Sequence, residues 1–402
     1  MDVDVLRNLV VLLSVAVAAP LLADRLRPVL LVPTVVLELV LGIVVGPDLL
    51  GWVQDSTAIS GLSNLGLALL MFLAGYEIDF AKIRGLPVSL GLRSWGVSLA
   101  IGLVIGLVTA TVSGHLSVQG VALGLIVTTT AVGTLLPILR DRGELETSFG
   151  PFVLAAGAIG EFCPLIGLSL FLASDRPVET AGVLLLFVAA ALVVVWLALR
   201  SRTPRVIRMV GETLTTSAQL GVRVGILLCI LLVWVATAFD LDFLLGAFTA
   251  GIILRLFLAS SPREEVEVLE SKLEAVGFGF LVPIFFVMSG VRLDLQALIE
   301  QPLYLLLLPV ALGAFLLVRG GPMLWLYRPV LDAADVKALA LYSATALPLV
   351  VVMTGIGVDD KLMSPAMASV LVTAAMISVL VLPLLAGRLR PANADYEPAD
   401  GA

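Results

Sequence analysis

The sequence predicts an all-α polytopic membrane protein of thirteen transmembrane helices, built as two inverted repeats of six. Three observations lead there. The 402 residues are 60% hydrophobic and only 14% charged, against about 25% charged in a soluble domain. The apolar residues fall in runs of roughly 20, the length that crosses a bilayer as a helix. Short motifs also recur 209 to 215 residues apart. This composition leaves no room for a sizeable soluble domain. A net charge of -7 offers no basic face for nucleic acid.

In order, the spans read about 6–23, 29–46, 60–76, 87–110, 118–138, 149–173, 180–199, 220–238, 241–258, 273–290, 302–318, 334–356 and 362–386. Leu, Val, Ala and Gly fill their interiors, and Pro, Asp and Arg mark the separators. The first run lacks a basic leader and a small-residue cleavage site, so it reads as a retained span. Segment 319–331 reads as a short return along the surface. Cys163 and Cys229 lie inside apolar runs and read as small buried hydrophobes. The polar, Pro-containing stretch 391–402 reads as a disordered cytoplasmic tail.

Charge orients the spans. Most of the 24 Lys and Arg fall in the turns after odd-numbered spans, among them Arg25, Arg84, Arg140, Arg202, Arg255, Arg319 and Arg388. Only Arg7, Arg176, Arg292 and Lys361 fall on the opposite side. The basic side is expected to be cytoplasmic, with the N-terminus outside and the C-terminus inside. The basic linker 200–219 reads as a topological anchor.

Span 3 ends in GYEIDF from Gly75, and span 10 in GVRLDL from Gly290. Span 2 carries GIVV from Gly42, and span 9 GIIL from Gly251. TTTAVGTLLP, ending at Pro137, pairs with SATALP, ending at Pro348. Spans 1–6 then match spans 8–13, with span 7 as the link. Seven spans separate each pair, so the copies face opposite ways, the arrangement that permits alternating access.

Pro137 cannot donate to the Gly133 carbonyl, nor Pro348 to that of Ala344. Thr128, Thr129 and Thr130 precede the first, and Ser343 and Thr345 flank the second. Their hydroxyls can satisfy freed backbone groups. Two readings follow. Either these helices are merely kinked, or they are broken and cross near the midplane, their ends facing ions.

Within AAGAIGEFCPL, residues 155–165, Glu161 lies twelve residues from each edge of its span. That is roughly 18 Å from either end. Burying an uncompensated charge there costs at least ~3 kcal/mol. The carboxyl must be protonated, paired with a cation or wet. A proton and a metal cation can neutralise the same oxygens in turn, as an exchanger requires. The alternative is a structural acid held by a neighbour. Gly160 removes bulk beside it, and Pro164 frees the Gly160 carbonyl, one more oxygen for a cation.

Other charges are weaker candidates. Glu38 in span 2 reads as an interior hydrogen-bond anchor. Glu77 and Asp79 end span 3 on the cytoplasmic side. Arg292 ends span 10, either as a counter-charge to Glu161 or as a headgroup contact. No P-loop, Rossmann fingerprint, zinc spacing or catalytic triad is present, so neither an enzyme nor a cofactor is expected.

LMFLAGYEIDF, TTTAVGTLLPILRDRGELETSFG, LGAFTAGIILR and VPIFFVMSGVRLDL resemble the monovalent cation:proton antiporter-2 family, of the Kef and NapA type. The resemblance covers nearly all of residues 6–386. It implies thirteen helices with spans 5 and 12 discontinuous and crossing, and a homodimer. It also implies a core domain from spans 3–6 and 10–13 (about 60–173 and 273–386). A dimerisation domain would come from spans 1, 2, 8 and 9 with linker span 7 (about 6–46 and 180–258). The family's acidic pair aligns with Gly160 and Glu161, so here the first acid is missing and the second is glutamate. No counterpart of the Kef-type nucleotide-binding domain is expected.

The expectation is a plasma-membrane exchanger of Na+ or K+ for H+. Glu161 would bind either ion transiently, helped by Thr129, Thr130, Ser343, Thr345 and freed carbonyls such as that of Gly160. A solute symporter of related architecture, or a nontransporting sensor or scaffold, remains open at this stage.

Overall fold

A computed structural model describes residues 3–26, 32–78, 83–112, 117–172, 219–239, 241–258, 261–294, 296 and 302–390, with isolated positions between 182 and 193. Every regular element among them is helical. The first seven are α1 (Val3–Leu26), α2 (Thr34–Val45), α3 (Thr57–Tyr76), α4 (Leu86–Val112), α5 (Ser117–Ile126), α6 (Val132–Asp141) and α7 (Gly150–Leu172). Then come α8 (Leu220–Ala238), α9 (Phe243–Leu258), α10 (Arg263–Val276), α11 (Val282–Val291), α12 (Pro302–Phe315), α13 (Gly321–Leu326), α14 (Ala333–Ser343), α15 (Pro348–Asp359) and α16 (Pro365–Leu389). Local chemistry sets several ends. Ser56 caps α3 by accepting the Ile59 N–H. Ser364 caps α16 in the same way, with Pro365 at the first helical position.

Among the described residues nine helices are long and apolar enough to cross a membrane. Two shorter apolar helices, α2 and α9, accompany them. Predicted span 7 lies largely outside the described residues, as do Asp79, the linker 200–218 and the tail 391–402. Two boundaries are corrected. The helix that carries span 10 begins earlier, because α10 runs through a π turn, Gly277–Leu281, straight into α11. Span 11 does not stop before Arg319. A second π turn, Leu316–Gly320, joins α12 to α13 and carries the chain to Leu326. No surface return begins at 319. One charge among many apolar neighbours does not end a helix when that charge finds partners inside.

The chain divides into two compact units. The first comprises residues 1–16, 52–79 and 165–288, and the second 17–51, 80–164 and 289–402. Spans 3, 8 and 9 and most of span 10 thus fall in the first unit. In the first unit α9 crosses α3 with backbones touching. A Cβ on Gly75 would overlap the Phe248 carbonyl oxygen, and one on Gly251 the Phe72 carbonyl oxygen. In the second unit, to which α11 belongs only from Ser289 on, the end of that helix meets α2 in the same manner. A Cβ on Gly290 would overlap the Leu39 carbonyl oxygen and lie 3.0 Å from Gly42 Cα.

Also in the second unit, α4 and α5 meet through Gly102, Gly106, Gly120 and Gly124, the small-residue spacing that lets membrane helices approach closely. Its core includes Leu135, Leu139, Phe149, Val153, Met323, Tyr327, Leu339 and Tyr342. At one end a buried charge network ties the last helix to the turn after α6. Arg142 donates to Glu144 (2.6 Å) and to the carbonyls of Gly387 and Arg390 (2.7 and 2.8 Å). Arg390 donates to Asp335 (2.8 Å) and lies over the Phe149 ring. Tyr342 donates to Glu144 at 3.2 Å.

Candidate functional site

The site grows from two interruptions of helix in the second unit. The first is Val127–Ala131, between α5 and α6. Thr128 and Thr129 turn their hydroxyls back to the carbonyls of Leu125 and Ile126 (2.7 and 2.9 Å), and their amides bond to the same two oxygens. Such tightened bonds end the helix. The break therefore lies at the threonine run and not at Pro137, which sits well inside α6. Its missing N–H leaves the Gly133 carbonyl without a helical donor, yet α6 continues past it to Asp141. The second interruption is Ala344–Leu347. Pro348 opens α15 at its first position, where its missing N–H costs nothing. The match between Pro137 and Pro348 is thus out of register with the breaks themselves.

The N–H groups at the first break are used in sequence. Thr130 N–H donates to the Gly160 carbonyl (3.0 Å) and Ala131 N–H to the Thr345 carbonyl (2.8 Å). Val132 N–H, the first of α6, faces the Glu161 side chain. Pro164 does not break α7, which runs unbroken from Gly150 to Leu172. It leaves the Gly160 carbonyl without its helical donor, and Thr130 N–H supplies one instead. The two defects satisfy each other, so this carbonyl is an anchor for the break and not a vacant oxygen.

Glu161 is 1% exposed, eleven residues from each end of α7. The positive end of α6 faces it. It takes part in none of the ion pairs found among the described residues. At the two breaks Thr129, Thr130, Ser343 and Thr345 are all buried as well. Thr129 and Thr345 spend their hydroxyl protons on their own helices, leaving lone pairs free to accept. Thr130 is committed further. Its hydroxyl donates to the Ser343 carbonyl (2.6 Å) and accepts from Arg319 Nε (2.8 Å). The second break is braced by Ser378, whose Oγ accepts the Ala346 N–H (3.1 Å) and donates to the Ala375 carbonyl (2.7 Å).

The supporting charges fall elsewhere. Glu38 is buried in α2 at 5% exposure. Glu77 is half-buried at the C-terminal end of α3. Arg292 is exposed just beyond α11, no place for a counter-charge to a buried acid. The cation at the crossing is Arg319, placed by the sequence reading in a turn. It is 0% exposed and donates to Thr130, to Ser98 (Nη1, 3.4 Å) and to the Ala156 carbonyl (Nη2, 3.0 Å). A signal for it existed. The stretch 302–327 holds no other charge, the same criterion that singled out Glu161.

An all-α membrane chain with two interrupted helices crossing beside a buried acid has the architecture of a secondary transporter. The chain belongs to the sodium/hydrogen exchanger transmembrane family, which matches residues 11–389. It is 30% identical to YjbQ of Bacillus subtilis over 94% of its own length, and spans 62% of that relative. It is 26% identical to the Na(+)/H(+)-K(+) antiporter GerN of Bacillus cereus, covering 87% of this chain and 88% of GerN. Its fold is similar to that of the sodium proton antiporter MjNhaP1 from Methanocaldococcus jannaschii. The TM-score is 0.71 over 96% of each chain, at 16% identity.

Proposed function

We propose that this protein is a secondary active antiporter that exchanges Na+ or K+ for H+ across the plasma membrane, with Glu161 binding the two in competition. The observation that carries this is a carboxyl deep in α7, aimed at the start of α6 and lacking any ion-pair partner among the described residues. Such a group needs a mobile neutraliser, and a monovalent cation and a proton are interchangeable in that role. Lone pairs of Thr129 and Thr345 and the carbonyl of Ser343 complete the cation's shell, while Thr130 and Gly160 hold the break together. The names of the relatives support the same activity.

The finer reading is a Kef- and NapA-type exchanger of thirteen spans with two inverted repeats. The paired glycine crossings support it. The repeat maps span 2 onto 9 and span 3 onto 10, so the contact of Gly42 with Gly290 becomes that of Gly251 with Gly75. Both close contacts exist, Gly251 with Gly75 in the first unit and Gly290 with Gly42 in the second. The proposal further places the N-terminus outside and the C-terminus in the cytoplasm, pairs the protein as a homodimer, and moves the site-bearing helices to expose Glu161 alternately. Purified protein in proteoliposomes tests the core claim. Adding Na+ or K+ should drive proton movement, and Glu161→Gln should abolish it. Full-rate exchange by that variant would overturn the assignment.

A further inference from the structure

Arg319 has no role in the exchange as described, yet it touches the residue that Gly160 anchors. Gly160 is one place before Glu161 on α7. A Cβ there would overlap Arg319 Nη2 and lie 2.7 Å from Thr130 Oγ1. Arg319 reaches this space from a π turn, whose extra residue per turn re-aims the side chains around it. It spans three elements. Nε holds Thr130 in the first break, Nη2 holds the Ala156 carbonyl on α7, and Nη1 reaches Ser98 on α4. All three partners are neutral oxygens, and Arg319 is in none of the ion pairs found among the described residues. A guanidinium buried in that way costs several kcal/mol unless well bonded, so the arrangement serves geometry more than stability.

We propose that Arg319 is a positioning residue for the ion site, acting through Thr130, and that residue 160 lacks a side chain because the guanidinium fills its place. The proposal rests on the antiport reading above. Thr130 is where the restraints converge. Its hydroxyl is clamped between Arg319 and the Ser343 carbonyl, and its amide is fixed on Gly160. The next amide then reaches the Thr345 carbonyl, and the one after it faces Glu161. With Arg319 in place, the break presents Val132 N–H to the carboxylate and keeps the two interruptions in register. Without it, Thr130 is free to turn, and the cation meets a looser shell. The loss should appear in cation affinity more than in the turnover of loaded carrier.

The test is a pair of double-mutant cycles in the full-length protein, each read as half-saturating cation concentration, maximal rate and melting temperature. Arg319→Gln and Thr130→Val should each raise the half-saturating Na+ or K+ concentration about tenfold, with maximal rate changed less. The double variant should be no worse than either single, because both cut one link. Gly160→Ala should also weaken binding, and Arg319→Lys, which removes the fork from that space, should restore part of the loss. Additive effects in the first cycle, or no rescue in the second, would overturn the proposal. If the wild type moved no protons on addition of either cation, the antiport reading would fail. The melting cycles would still decide the two links: non-additivity and rescue uphold them, and additivity rejects them.

Discussion

If one carboxyl trades one proton for one cation, the cation's apparent affinity must depend on pH with a fixed slope. The crossing offers Glu161 and no second acid at position 160. In simple competition the half-saturating cation concentration then rises as pH falls below the titration of the site. The limiting rise is about tenfold per pH unit, because one proton is linked to one cation. A site shared by two acids that both lose protons would approach ~100-fold per unit. The assay is Na+- or K+-driven proton efflux from proteoliposomes, with half-saturation measured at half-unit pH steps and the buffers matched in ionic strength. Glu161→Gln is the control. Its amide keeps the shape of the carboxyl and loses only the charge that faces the start of α6, ~1 kcal/mol of stability, a shift of a few degrees in melting. Folding is thereby separated from function. A slope of two would require another titrating acid in the site. A slope of zero would mean that cation binding displaces no proton, and either result refutes the single-acid mechanism.

One proton against one monovalent cation moves no net charge per cycle, so imposing a membrane potential with a diffusion gradient of an ion that the protein does not carry should leave Na+/proton exchange rates unchanged. Glu144→Ala removes the acceptor shared by Arg142 and Tyr342. It should lower unfolding stability by about 3 kcal/mol, measurable by thermal melting in detergent. Ser378→Ala leaves the Ala346 N–H in the second break without its acceptor and should cost about 1–3 kcal/mol, with weakened cation binding in the flux assay. Gly106→Leu inserts a side chain where α4 touches the Gly120 backbone. It should sharply reduce the yield of folded protein by size-exclusion chromatography.

Much of the fold was legible residue by residue. Apolar runs located α1, α3, α4, α7, α8 and α16 within a few positions, because a helix in lipid must satisfy its own backbone and bury few charges wherever it goes. Glu161 was legible for the same reason, since hydrocarbon makes an acid at that depth conspicuous. The exact places of the breaks were not. Proline marked the second correctly and the first wrongly, because a threonine run can end a helix as effectively as a missing N–H. Arg319 was misplaced since a basic residue near the end of an apolar run reads equally as a turn.

The sequence by itself determined that this is a helical membrane protein with a stranded acid and two weak points in its spans, because composition and depth are properties of a single segment. Only the tertiary structure decided what those features do to one another. It brought Thr130 to Gly160, Ala131 to Thr345 and Arg319 into the space of an absent side chain. Those bonds join residues as many as 214 positions apart. No local pattern encodes which freed carbonyl will meet which freed amide. That pairing is set by how the helices pack, and the packing turns separate defects into one site.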